Sequence, residues 1–287
     1  MRIPLPFICL LLLAVSAHGQ TAGSNAQSLT PVQAQGLVGR ALSNEISSAP
    51  DSNHPMRFQL RKSSPRLTTT KDIVETRDGA VARLLAVNDS PLGPADDQKE
   101  QTRLDALAAD PSLQRHRKQG EDSDMGIVLK LLRMLPNAFL YQYAGPVASP
   151  TGTAERFTFK PNPRFSPPDY ETQALTALSG EIWIDPAQER VLKLEGHLQQ
   201  DTDYGWGILG RLNKGGWVEL EQADVGAKQW RIVHVQMQMT MRILFKTKIF
   251  DTEEKMSGYS PVPSGLDYRE AIRMLQTGTD SGERAKR

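Results

Sequence analysis

The chain has almost no cysteine: Cys9 is the only one among 287 residues. It lies in an apolar run from Ile3 to Val15, which follows Arg2 and precedes the small-residue sequence at 17–19. This is the pattern of a secretory signal peptide, so we predict that residues 1–19 are removed on export. The mature chain would then have no disulfide, thiolate nucleophile or lipidated cysteine, and its core alone would hold the fold.

The sequence also lacks a long apolar segment and an excess of either charge. The N-terminal run is too short to cross a bilayer, which disfavours a retained anchor, and we predict no transmembrane segment after signal cleavage. The chain has 34 basic and 33 acidic residues, so loss of Arg2 leaves the mature chain formally neutral. A nucleic-acid-binding protein would show a basic excess, and we expect no nucleic-acid partner.

Recognisable catalytic motifs are absent as well. The sequence has no G-x-S-x-G nucleophile motif. The histidines beyond the predicted cleavage site lack the spacing of metal ligands: His54, His116, His197 and His234. We expect the last two to be solvated, on the outer sides of strands. The sequence therefore predicts a non-enzymatic protein with no cofactor and no metal site.

Two short motifs resemble ligand sites but fit structural roles better. The stretch 205–210 matches G-x-G-x-x-G, yet polar residues precede it and Gly215 and Gly216 follow it, so the strand–loop–helix context of a dinucleotide site is missing. A bulge or tight curvature in a sheet explains these glycines better. The acidic run 121–124 lacks the spacing of a calcium loop, and we interpret it as the N-cap of a following helix.

The most informative stretch is 231–250, where apolar and polar side chains alternate. Only a pleated strand places every second side chain on the same side, so this stretch predicts one long curved strand or two strands joined by a bend. Its polar face has His234, Gln236, Gln238, Thr240, Arg242, Lys246 and Lys248. Its apolar face, which we expect to be buried, has Val233, Val235, Met237, Met239, Met241, Ile243 and Phe245.

The remaining pattern predicts nine further strands and four helices. Asp78-Gly79 is a strong hairpin signal. The predicted strands cover about 56–62, 68–76, 80–87, 138–143, 155–159, 180–185, 190–198, 204–212 and 215–222. The predicted helices cover about 94–109, 124–135, 172–178 and 266–276. Helix 124–135 is apolar over more than half its circumference, so we expect it against or inside the sheet and ended by Pro136.

These elements suggest one folded domain with polar extensions. We predict a flexible leader at 20–55, although Val32 to Leu42 could form a weak helix, and a flexible tail at 277–287. The domain would span 56–276, with a helical insertion at about 94–135. A sheet of this many strands curls to protect its edges.

Three sequence segments resemble a known protein family. They are GEIWIDPAQERVLKLEG at 180–196, WGILGRLNKGGW at 206–217 and LFKTKIF at 244–250. They are similar to uncharacterised exported bacterial proteins related to the outer-membrane lipoprotein-sorting proteins, the LolA-like superfamily. The resemblance implies an α+β fold in which a strongly curved antiparallel half-barrel sheet wraps one or two helices around an apolar cavity for acyl chains. It also implies the periplasm of a Gram-negative bacterium.

The candidate site follows from the alternating strand. Methionine side chains adapt to irregular apolar shapes, which suits a flexible ligand, although packing on helix 124–135 as ordinary core is the simpler explanation. The expected function is binding of a lipid or lipidated protein; the alternative is an envelope interaction or sensor module with a fully packed interior. The candidate ligand-binding residues are Val235, Met237, Met239, Met241, Ile243, Ile127, Leu131 and Trp183.

Overall fold

Thirteen strands and five helices form the part of the chain that the structure describes. This computed structural model describes residues 29–48, 53–204, 210–244 and 246–277. The predicted signal peptide and most of the predicted tail lie outside these ranges. The helices are α1 (Pro31–Ser48), α2 (Pro94–Ala109), α3 (Pro111–Ala138), α4 (Tyr170–Gln173), which leads into a 3₁₀ turn at Ala174–Ala177, and α5 (Tyr268–Thr277).

The strands are β1 (Met56–Ser63), β2 (Thr68–Val74), β3 (Val81–Val87), β4 (Ser90–Pro91), β5 (Phe139–Ser149), β6 (Gly152–Pro161), β7 (Leu178–Asp185), β8 (Arg190–Leu198), β9 (Thr202–Tyr204), β10 (Gly210–Leu212), β11 (Trp217–Asp224), β12 (Trp230–Ile243) and β13 (Lys246–Pro261). All of their pairings are antiparallel. The spatial order is β4-β3-β2-β1-β13-β12-β11-β8-β7-β6-β5, and β10 joins β9 to β12. Among the described strands, β4 and β5 each pair on one side only, so the sheet is open, and the predicted α+β class is confirmed.

The alternating stretch 231–250 forms two strands of a hairpin. The chain turns at Leu244, whose φ of 52° is left-handed. Met241 is aligned with Lys248, and Ile243 with Lys246, so both lysines lie on the methionine side of the sheet. The prediction that these lysines lie on the opposite side is therefore wrong, because the turn reverses the chain and resets the alternation.

Helix α1 corrects the predicted leader. Ala34, Leu37, Val38, Ala41 and Leu42 are buried, at the spacing of one helical face. They pack with aromatic residues of β5 and β6 in the largest buried cluster. A leader at 20–55 is therefore wrong for 31–48, since this short apolar face finds cover in the sheet; the alternative of a helix there is correct.

Helix α3 is also longer than predicted. Asp110 caps its start by accepting from Ser112 N at 2.8 Å, and Pro136 lies inside its last turn rather than ending it. The acidic run 121–124 is consequently mid-helix and not an N-cap; Asp122 pairs with Lys118 one turn earlier at 2.7 Å. Polar helix formers continue the helix between the break at Pro111 and the apolar turns after 124.

The sheet has two faces, which we name by their residues. The methionine face carries Val235, Met237, Met239 and Met241, and the glutamate face carries Lys193, Glu219, Glu221 and His234. Leu194, Leu220 and Val235 are aligned across three strands. Leu194 packs against the α1 cluster, so α1 lies on the methionine face.

The second helical layer lies on the glutamate face. Arg61 is aligned with Lys255, which is aligned with His234. Val74 shares this side because its partner Arg57 is four residues before Arg61 on the same strand. Val74 packs with helices α2 and α5 in a separate cluster that includes Leu104 and Ile272. The two helical layers thus cover opposite faces at opposite ends of the strand order.

Candidate functional site

The structure separates the predicted ligand-binding residues into several environments. Met239 and Met241 pack against the buried residues Ala177, Leu198 and Leu212. Leu131 packs instead in the cluster around α1. The two groups that we predicted to enclose a ligand are therefore parts of different clusters, and the structure does not bring them together.

The other predicted helix and tryptophan positions lie elsewhere. Ile127 is 38% exposed, and its neighbour Val128 is 47% exposed, so α3 is covered on one side only. This corrects the expectation that the apolar helix needs cover on two sides. Trp183 lies on the glutamate face, where Lys193 Nζ stands 5.4 Å from its ring centroid. Its aligned neighbour is Lys193, while Ile182 beside it points into the α1 cluster.

A half-buried apolar surface lies on the methionine face beside the end that α1 covers. It consists of Val218, Leu220, Val235 and Met237, which we call the apolar strip. Val218 is aligned with Met237, and Leu220 with Val235, on β11 and β12. All four are half-buried, and within the described ranges none belongs to a buried cluster.

Two glycines border the apolar strip. Gly196 is aligned with Val218 on one side and with Gly180 on the other, so this row of the sheet lacks two side chains. A Cβ at Gly180 would overlap the carbonyl oxygen of Glu195. The side chain of Leu178 lies over Gly196. The glycines therefore allow close packing at the edge of the apolar strip.

Of the strip residues, the sequence indicated only Val235 and Met237. Val218 and Leu220 lie in the predicted strand 215–222, and their alternation with Glu219 and Glu221 is the sequence signal that marks them. Ile243, also predicted, is 45% exposed at the end of β12. The strip can bind apolar surface; it has no polar group that would act as a nucleophile.

Two cavities in the described ranges lie away from the apolar strip. One, of about 660 Å³, lies between the start of α1 and the edge strand, and is lined by Leu29, Pro31, Leu140, Tyr141, Gln142, Tyr143, Thr158, Phe159 and Lys160. The other, of about 600 Å³, lies between β3, β4 and α2. Burial raises the pKa of Tyr143 to about 12, with a further contribution from Glu155. Its phenol is therefore neutral at physiological pH.

The glutamate face carries a network of charges across four strands. Lys193 Nζ lies 2.7 Å from Glu219 Oε2. Burial lowers the pKa of Lys193, but the hydrogen bond and charge of Glu219 outweigh it, and the net pKa is raised. His234 Nε2 lies 3.2 Å from Glu253 Oε1. The hydrogen bond from Lys255 is the largest of the effects that lower the pKa of Glu253.

His234 differs from the solvated histidine that we predicted. Its side chain is half-buried among three carboxylates. Glu221 is aligned with it on β11, and Glu219 and Glu253 are each two residues from an aligned partner, on the same face. His197, by contrast, is exposed and pairs with Glu195 at 2.8 Å. The glycine motif at 205–210 lies outside the described residues except for Gly210, which begins β10.

Within the described residues, no helix is both long enough and apolar enough to span a bilayer. No family model matches the chain, and no curated protein matches it. Among solved structures, the chain is similar to a putative outer membrane lipoprotein-sorting protein domain from Vibrio parahaemolyticus, with 10% identity and a TM-score of 0.33. The match covers 87% of this chain and 99% of that chain. The fold class rests on the strand pairing described above.

Proposed function

We propose that the protein is a non-enzymatic exported protein that binds a hydrophobic ligand, such as a lipid or the acyl chain of a lipidated protein, on the apolar strip. The observation that supports this function most directly is the alignment of Val218, Leu220, Val235 and Met237 on one half-buried surface. Among the described residues, these four side chains belong to none of the buried clusters. A bound apolar ligand would cover these four side chains and remove them from water.

The strip can provide affinity without polar contacts. Removing apolar surface from water contributes roughly 25 cal/mol per Å², so an acyl segment that covers about 200 Å² would gain about 5 kcal/mol before the costs of binding. Met237 adapts to chains of different shape because its side chain is unbranched. Loose selectivity for chain length follows.

The N-terminal sequence supports the proposed location. Arg2, the apolar run to Val15 and the small residues at 17–19 fit a signal peptide. We place the mature protein in the periplasm of a Gram-negative bacterium, where lipids and lipidated proteins cross an aqueous compartment.

A pair of neighbouring substitutions tests the ligand site. Met237 and Gln238 are consecutive on β12, so their side chains lie on opposite faces. Delipidated protein that begins at Gln20 would be titrated with a fluorescent fatty acid. Met237→Glu should raise the Kd by about tenfold or more, because a carboxylate would be desolvated beneath the chain. Gln238→Glu adds the same charge on the other face and should change the Kd by less than about twofold.

Thermal unfolding of both variants separates binding from folding. If the wild-type protein binds no fatty acid, or if the two variants weaken binding equally while both stay folded, the apolar strip is not the ligand site. Lipid analysis of protein taken from the periplasm adds a second measurement, and repeated absence of co-purified lipid would contradict the proposed function.

The second candidate is an envelope protein–protein interaction. It is favoured by the packing of Met239 and Met241 as ordinary core and by the exposure of Ile127 and Val128 on α3. Periplasmic cross-linking separates the two candidates. A stable protein partner that is lost in Val128→Glu, together with unchanged fatty-acid titration in that variant, would favour the interaction module.

A further inference from the structure

Three possible metal ligands converge on the glutamate face, on the opposite side of β11 and β12 from the apolar strip. Glu219 and Glu221 are two residues apart on β11, and Glu221 is aligned with His234 on β12. His234 Nδ1 lies 3.8 Å from Glu219 Oε1 and 3.8 Å from Glu221 Oε2. The three ligand atoms all lie within 4.8 Å of one another.

The other nitrogen of the imidazole is already engaged. His234 Nε2 lies 3.2 Å from Glu253 Oε1 on the neighbouring strand. An ionised carboxylate only accepts hydrogen bonds, so Nε2 carries the hydrogen, and in the neutral ring Nδ1 directs its lone pair toward Glu219 and Glu221. A carboxylate behind a histidine is the usual support of a metal-bound imidazole.

The nearby lysine leaves the converging oxygens available. Lys193 Nζ lies 2.7 Å from Glu219 Oε2 and 3.9 Å from Glu221 Oε1. These are the oxygens that point away from His234. Lys193 therefore holds both carboxylates in place from one side, while Glu219 Oε1 and Glu221 Oε2 remain directed at the imidazole.

We propose that Glu219, Glu221 and His234 form a binding site for a first-row divalent cation, with zinc as the best fit. At 3.8 Å the imidazole nitrogen and the carboxylate oxygens are too far apart for a hydrogen bond. They are close to the separation of about 3.4 Å that ligands have around tetrahedral zinc, with bonds of about 2.1 Å. Small side-chain rotations would complete the coordination.

The ligand set determines the character of the site. One imidazole and two carboxylates suit zinc, and they leave one tetrahedral position for water because Glu221 lies at the solvent side of the cluster. The ion would join β11 to β12 across the pair that also carries the apolar strip. The proposed site differs from the expectation that the chain has no metal site, and it does not depend on the proposed lipid function.

Zinc titration of the full mature chain, purified without a polyhistidine tag, tests the proposal. Isothermal calorimetry near neutral pH should show one zinc ion per chain, and cobalt should give the strong visible absorption of a four-coordinate ion. His234→Gln should weaken zinc binding by about 100-fold. His197→Gln, at the exposed histidine of the adjacent strand β8, should change it by less than about twofold.

A second variant tests the site even if His234→Gln fails to fold. Glu221→Gln removes one ligand at a part-exposed position and should weaken binding by about tenfold or more. Zinc should raise the unfolding temperature of the wild type and of His197→Gln, but not of His234→Gln. Absence of zinc binding by the wild type, or equal affinity in His234→Gln and His197→Gln, would overturn the proposal.

Discussion

Arg190 and Glu45 join helix α1 to the sheet through two parallel contacts. Arg190 Nε lies 2.9 Å from Glu45 Oε1, and Nη2 lies 2.7 Å from Oε2. Val191 N and Gln222 Nε2 also donate to Glu45 Oε1, at 2.9 and 2.7 Å. One carboxylate therefore connects α1 to both β8 and β11.

Glu45→Ala should lower the free energy of unfolding by about 3 kcal/mol, because Nε and Nη2 of the half-buried Arg190 and two further donors lose their acceptor. Urea denaturation monitored by circular dichroism measures the change. Arg40→Gln is the control: Arg40 pairs with Glu189 in a more exposed bridge and should cost less than about 1 kcal/mol. Equal costs would contradict the role of Glu45.

Two substitutions within α1 test whether this helix is part of the core. Leu42 is 1% exposed and Val32 is 82% exposed. Leu42→Ala should cost about 3 kcal/mol through lost burial and a cavity, while Val32→Ala should change stability by less than about 0.5 kcal/mol. Chemical denaturation of both variants gives the comparison. If Leu42→Ala is as neutral as Val32→Ala, then 31–48 is a leader after all.

Replacement of glycine by alanine should have opposite effects on stability in the glycine row beside the apolar strip and on helix α3. Gly180→Ala should destabilise the protein by about 3 kcal/mol or more, because the new Cβ meets the backbone of β8. Gly126→Ala, on the exposed side of α3 with nothing near its Cβ, should stabilise by about 0.5–1 kcal/mol. Thermal unfolding shows whether each substitution raises or lowers the stability of the protein. A tolerated Gly180→Ala would show that β7 and β8 are farther apart.

Glu100 on α2 predicts a loss of stability in acid. Burial favours its neutral form, but hydrogen bonds from Arg103 and Leu84 N, with the charges of Arg103 and Arg83, hold the pKa of Glu100 below its ordinary value of 4.5. Because the folded-state pKa is lowered, the ionised carboxylate stabilises the fold above pH 4.5. That contribution is lost as the pH falls through the lowered pKa.

Glu100→Gln should therefore cost about 2 kcal/mol at neutral pH, and the cost should shrink in strong acid. Urea denaturation across this pH range measures the dependence. Asp122→Asn, in an exposed pair with Lys118, should cost less than about 0.5 kcal/mol throughout. A cost for Glu100→Gln that does not change with pH would contradict this explanation.

Much of the fold could be predicted because local signals agreed with it. Asp78-Gly79 marks the turn between β2 and β3, and Gly79 adopts the positive φ of 95° that such a turn needs. The helix start at Pro94 and the alternation along β12 depend on residues that are close in sequence. Local chemistry is sufficient for such elements.

The rest depends on contacts that are distant in sequence. The buried face of α1 includes Ala34 and Ala41, small residues whose burial is decided by the aromatic surface of β5 and β6 and not by their own hydrophobicity. The separation of Leu131 from Met239 follows from strand order and register, which the alternation of one strand does not specify. For the same reason the carboxylates around His234 could be recognised only after β11 and β12 were aligned.

Strand β12 carries the apolar strip on one side and the cluster around His234 on the other. Met237 points to one side of this ribbon and His234 to the other, and both are held by the backbone that pairs with β11. A molecule that binds the apolar strip and alters the twist of β11 and β12 would shift the His234 imidazole relative to Glu219 and Glu221. By thermodynamic reciprocity, whatever free energy an ion gains from that shift is returned to the molecule on the reverse side.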